Sequence, residues 1–145
     1  MPTAHQLFRR IVVGIDGSGS STATLNWAAQ QAALTQSALH VLITWEWPII
    51  AGGVSALPAD YDPSRDAATL LRNVLAVVQR DYPDVDLHPS VYQGRAAPIL
   101  VDASKEADLL VVGTHGHRGL SAALFGSVSE DCAHHASCPV VIVRS

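Results

Sequence analysis

Three glycines and two serines late in the chain are spaced to hold a phosphate. Gly113, Gly116 and Gly126 leave two and then nine residues between them, and Ser127, Val128 and Ser129 follow at once. The stretch opens with an apolar strand sequence, passes into a glycine-punctuated loop and ends where a helix can start. Glycines let the backbone approach an anion, and the free N–H groups at a helix N-terminus point at it. Ser127 and Ser129 add hydroxyls at that start, where phosphate oxygens are favoured. His117 and Arg118 offer further donors from the loop.

A second candidate is Asp16, which ends the apolar run RIVVGI and precedes Gly-Ser-Gly-Ser. An aspartate there is ordinarily a turn former or helix cap. Its place at a strand end makes it a site candidate as well. The stretch DGSGSST resembles two nucleotide fingerprints and satisfies neither. A dinucleotide pattern begun at Gly17 needs glycine at 22, where Thr22 stands, and no Gly-Lys-Ser/Thr follows.

Other constellations reduce to packing. Cys132, His134, His135 and Cys138 match no standard zinc spacing. Cys132 is expected to face the core, with the histidines on the exposed side of a helix. Trp27 is expected to pack its helix, whereas Trp45 or Trp47 stands where a base could stack. No Ser-His-Asp set, carboxylate pair or general base accompanies the glycine loop. Any hydrolysis of a bound phosphate compound is therefore expected to be slow, limited by the positioning of water.

The elements that must position these residues are legible from periodicity. A consecutive apolar run suits a strand covered on both faces, and Arg10 to Ile15 and Asp108 to Val112 are such runs. Ser20 or Ser21 is expected to cap a helix whose stripe is Leu25, Ala28, Ala29 and Ala32. Ala38 to Trp45 reads as a second strand, and Glu46 to Pro63 as a long surface loop. A helix from about Ser64 presents Leu71, Val74, Leu75 and Val78 and stops at Asp81-Tyr82-Pro83. Asp86 to Tyr92 reads as a third strand, placed at an edge by Pro89, which lacks a ladder donor. After the turn at Gly94 comes a helix with Pro98 in its first turn, ending at Glu106. A last helix covers Ser127 to His135, and a last strand Val140 to Val143.

This alternation predicts one α/β domain over residues 1–145, a doubly wound five-stranded parallel sheet with helices on both faces. The order 3-2-1-4-5 puts the two continuous apolar strands at the centre. Ligands of open α/β sheets bind where the strand order reverses, off the carboxyl ends. Asp16 and Gly113 stand at those ends. The last strand becomes an apolar edge, which a second copy would cover by two-fold pairing of Val140 to Val143.

Bulk properties narrow the function further. With 48% apolar and 15% charged residues among 145, the chain can bury a core. A net charge of −4 disfavours nucleic-acid binding. No run suits a signal peptide or a membrane span, and two late cysteines make no disulfide framework. A cytoplasmic protein without membrane attachment is the expectation.

The pattern G-x2-G-x9-G-S at Gly113, Gly116, Gly126 and Ser127 resembles the nucleotide-binding signature of the universal stress protein family. IVVGIDGS, EADLLVVGTHG and CPVVIVRS resemble that family's first, fourth and fifth strands. The resemblance implies an adenine nucleotide alpha hydrolase-like fold of the ATP-binding subclass. It implies ATP with Mg2+, with Asp16 near the ribose and metal and Gly14 and Ile15 on the same strand end. The backbone at Thr44 would meet adenine, although Ile43 stands where the family often has histidine. Val112 and Gly113 contribute, and Gly116, Gly126, Ser127, Val128 and Ser129 form the phosphate set. It further implies a homodimer with a regulatory, non-enzymatic role in stress response. The alternatives are a slow ATPase or nucleotide hydrolase on the same fold, and an interaction protein that binds no nucleotide.

Overall fold

The computed structural model describes residues 9–15, 19–47, 58–114 and 126–144. Nine elements follow in order: β1 (Arg10–Ile15), α1 (Gly19–Thr35), β2 (Ala38–Trp45), α2 (Pro63–Asp81), β3 (Leu87–Gln93), α3 (Ala96–Ser104), β4 (Leu109–Gly113), α4 (Ser127–His135) and β5 (Val140–Val143). The strands form one parallel sheet in the order β3-β2-β1-β4-β5. Pro89 lies on edge strand β3, beside Val41, as its missing donor requires.

Strand alternation sorts the apolar residues into two cores. Ile11, Val13 and Ile15 of β1, with Leu39, Val41 and Ile43 of β2, face α1 and α2. Val12, Leu42, Leu110 and Val112 face α3 and α4. Because β1 and β4 are covered on both faces, they read as continuous apolar runs rather than alternating ones. Each fully buried Val, Leu or Ile contributes about 1.5–3 kcal/mol of transfer free energy. The stripe Leu25, Ala28, Ala29 and Ala32 is buried as its spacing predicts. Its alanines bring α1 close to the sheet at little side-chain entropy cost.

Several boundaries differ from the expectation by a residue or two, and local hydrogen bonds show why. α2 starts at Pro63 because Asp62 is its cap, with Oδ1 accepting from Arg65 N–H at 3.1 Å and from Ser64 Oγ at 2.7 Å. α3 ends at Ser104 rather than Glu106, since Lys105 and Glu106 donate to the carbonyls three residues back, Asp102 and Ala103. β4 starts after Asp108, whose carboxylate accepts the N–H groups of Arg9 and Arg10 at 2.9 and 3.0 Å. β3 begins at Leu87, because Asp86 C=O accepts Leu39 N–H at the foot of β2. α1 already includes Gly19, so Ser20 and Ser21 fall inside its first turn instead of capping it. Within the predicted loop 46–63, residues 48–57 lie outside the described residues.

Candidate functional site at the carboxyl rim

β1 and β4 run side by side, with Val13 level with Val111. The pairing ends there, and both strands run two residues further, to Ile15 and Gly113. Ile15 is level with Ile43 on β2. The carboxyl ends of β1, β2 and β4 therefore share one rim at the reversal of strand order. Ile15, Gly113 and Thr44 stand on it together.

The described chain leaves β4 through Thr114 and comes back to it at Gly126. Gly126 donates its N–H to Thr114 C=O at 2.8 Å, and Thr114 donates its own to Val143 C=O at 3.1 Å. These two bonds seat the start of α4 against the end of β4. Gly126 is the N-cap, with extended backbone and no side-chain cap. The first bond of the helix runs from Glu130 N–H to Gly126 C=O at 3.0 Å. The N–H groups of Ser127, Val128 and Ser129 thus have no intrahelical acceptor. Three donors without helical acceptors therefore gather at the positive end of the helix dipole, at the reversal point.

The serines divide their work in a way the spacing did not reveal. Ser129 is buried, and its Oγ donates to Gly126 C=O at 2.8 Å. Its hydroxyl proton is committed to the helix, leaving the N–H as the donor it presents. Ser127 is exposed, so its hydroxyl stays accessible.

Gly14 and Gly113 stand at the rim for packing reasons as well. A Cβ on Gly14 would lie 2.7 and 2.9 Å from the two Cδ atoms of Leu100, so its absence lets α3 close on β1. A Cβ on Gly113 would lie 2.8 Å from Thr24 Oγ1 of α1. The side chains of Ile15 and Val112 are buried in the two cores, so those residues offer the rim only backbone groups. Thr44 is half-buried, level with Tyr92 on β3. Asp16, Gly116, His117 and Arg118 lie outside the described residues.

Beside the rim stand three aromatic rings. Trp45 and Trp47 meet edge to face at 6.0 Å, and Trp47 tilts against Tyr61 at 5.9 Å. Trp45 is partly buried against the α1–α2 core, whereas Trp47 is exposed. Tyr61 is separated from Trp47 by a long connection, and no sequence pattern pairs them. Trp27 packs its helix against the same core, as expected.

Cys132 is fully buried, with His134 and His135 exposed on the same helix, as the sequence predicts. Burial, helped by Asp131 and Cys138, pushes the Cys132 thiol up to about 11. Burial raises Cys138 too, and both thiols are free. Among the described residues no group of three His, Cys, Asp or Glu side chains could hold a metal ion. No described helix is long and apolar enough to cross a membrane.

Thr114 belongs to no motif in the sequence. It is buried, and its Oγ1 has no hydrogen-bond partner among the described residues. Its place between Gly113 and the loop was the only signal available.

Comparison with known proteins agrees with this architecture. Residues 7–144 match the family model described as the universal stress protein family. A universal stress protein of Mycolicibacterium smegmatis is 34% identical over 142 residues, covering 97% of this chain and 47% of that protein. The chain spans about half the length of the curated relatives it matches. A solved universal stress protein in complex with cAMP superposes with a TM-score of 0.72 at 26% identity, over 94% of this chain and 97% of that one. The universal stress protein UspA from Lactobacillus plantarum gives a TM-score of 0.75 at 21% identity, over 94% and 97% of the two chains, a likeness of fold.

Proposed function

The chain belongs to the universal stress protein family, and on that premise we propose that it binds ATP at the carboxyl rim of β1 and β4 and acts as a nucleotide-dependent regulator in stress response. The observation that carries this reading is the uncapped start of α4, held against the end of β4 by the Gly126–Thr114 bond where the strand order reverses. The related structure that holds cAMP supports an adenine nucleotide as the ligand class.

In this reading the N–H groups of Ser127, Val128 and Ser129, with the Ser127 hydroxyl and the glycines at 116 and 126, hold the phosphates. His117 and Arg118 add donors from the loop. Gly14, Ile15, Thr44, Val112 and Gly113 line the nucleoside with backbone groups, and Asp16 meets the ribose. Mg2+ would be carried on the triphosphate, with Asp16 as a nearby carboxylate, since Mg2+ keeps several waters and is commonly shared with phosphates. The protein's own groups bind and orient; none described at the rim is placed as a general base. In this reading the role is regulatory and the protein cytoplasmic. β5 is an apolar edge of four half-buried residues. A second copy pairing there would give the homodimer.

Equilibrium binding of ATP to the wild type, Gly126→Val and Asp16→Ala tests the site. Both substitutions should weaken binding at least tenfold. Unchanged affinity in both would refute the assignment. Native mass spectrometry of the purified protein should show copurifying adenine nucleotide. Phosphate release well above background, lost in Asp16→Ala, would establish a hydrolase instead of a binding protein.

A further inference from the structure

Thr114 carries a group that the proposed site leaves unused. Both its backbone groups are engaged, the N–H on Val143 and the C=O on Gly126. Its side chain is 6% exposed, and Oγ1 is withdrawn from solvent without a hydrogen-bond partner. Among the described residues it is the one buried side-chain oxygen or nitrogen in that condition. Comparable buried hydroxyls are satisfied: Ser129 donates to Gly126, and Ser104 accepts from Ser137 N–H at 2.9 Å. Native proteins rarely leave a buried hydroxyl unpaired, since it has given up water without replacement.

Position says what the partner is. The bond to Gly126 holds Thr114 beside the N-cap of α4, next to three N–H groups that also lack acceptors within the helix. Donors collected at the positive end of a helix favour a negatively charged acceptor. We propose that the Thr114 hydroxyl is a ligand-binding group that donates to a phosphate oxygen of the nucleotide held at the start of α4. The inference rests on the nucleotide reading above, and extends it to a residue whose side chain, unlike the glycine and backbone donors, can be replaced without disturbing the main chain.

Thr114→Val keeps the branched shape and removes the hydroxyl, while Thr114→Ser keeps the hydroxyl. Calorimetric titration with ATP and with adenosine, together with thermal melting without ligand, separates the outcomes. Thr114→Val should melt at or above the wild-type temperature, because it removes an unpaired polar atom. It should bind ATP about tenfold to a hundredfold more weakly, the loss expected for a hydrogen bond to a charged group. Its affinity for adenosine should stay within about twofold, and Thr114→Ser should resemble the wild type throughout. Undiminished ATP affinity in Thr114→Val would overturn the proposal while leaving the nucleotide site standing. A clear drop in ligand-free melting, or failure to fold, would show that the hydroxyl already serves the structure. An equal loss for adenosine and ATP would move it from the phosphate to the nucleoside. Wild-type protein that binds no adenine nucleotide would remove the underlying reading itself.

Discussion

A methyl group on Gly113 would lie 2.8 Å from Thr24 Oγ1, so the end of β4 and the first half of α1 are in contact through the missing side chain. Thr24 is buried and β-branched, so it has little freedom to turn away. Gly113→Ala should force α1 off the sheet and destabilise the fold by about 1–3 kcal/mol, the usual range for overpacking. Denaturant unfolding measures this, and an unchanged midpoint would show that α1 yields freely. The same variant should lose ATP affinity, because the displaced strand end belongs to the rim.

The two serines of α4 should respond in opposite ways. Ser129→Ala deletes the bond to Gly126 and should cost about 0.5–1.5 kcal/mol of stability. ATP affinity should hold within about twofold, since that hydroxyl faces its own helix. Ser127→Ala should leave the melting temperature alone and weaken ATP binding several-fold. The reverse pattern would mean that the hydroxyls exchange roles when ligand binds.

Acid should weaken the fold through His40. Burial holds its pKa below the ordinary value, reinforced by Arg10 and by His88, whose ring stacks on it at 4.6 Å, against the opposing pull of Asp86. Arg10 is itself paired with Glu106, and Asp86 with His88. At the end of α3, which packs across β2, Asp102 pairs with the C-cap residue Lys105. A depressed histidine pKa means that the unfolded chain binds the proton more readily. Its contribution is intact above about 6.5 and is lost as pH falls below that, until the folded value is passed. Urea midpoints between pH 7.5 and 5 should fall, and His40→Gln should flatten part of that slope. An identical slope in His40→Gln would assign the effect elsewhere.

The free edge of β5 can be tested without cutting its ladder to β4. Pro139 and Val143 carbonyls accept from Leu110 on β4 and from Thr114 just beyond it. Alternation along a parallel ladder then turns the N–H groups of Val140 and Ile142 outward. Ile142→Pro removes an outward donor and should convert a dimer to a monomer in light scattering at micromolar concentration. The lost packing of Ile142 against the α3–α4 core should lower stability modestly. A dimer that survives the substitution would place the interface on another surface.

Most of the architecture is readable in the sequence. β1 and β4 are consecutive apolar runs because both their faces are covered, and Pro89 marked its strand as an edge because it lacks a donor. The same facts put the rim beside Gly113. Element ends were less accessible: whether Asp62 caps α2 or Asp108 stands outside β4 depends on single hydrogen bonds that composition does not encode.

What the sequence determined by itself was whatever periodicity and backbone chemistry dictate: five strands, their order, the family signature and a helix start aimed at the strand-order reversal. Tertiary structure decided which atoms at that start are free. Ser127 and Ser129 look equivalent in GSVS, yet one hydroxyl is exposed and the other is bound to Gly126. Gly14 and Gly113 read as ligand-site residues at strand ends, yet each also makes room for a residue far along the chain, Leu100 and Thr24. Thr114 belongs to no motif, yet its backbone bonds and its burial leave one hydroxyl unmatched. Each of these outcomes depends on a partner brought close only by folding, and spacing along a chain carries no record of such neighbours.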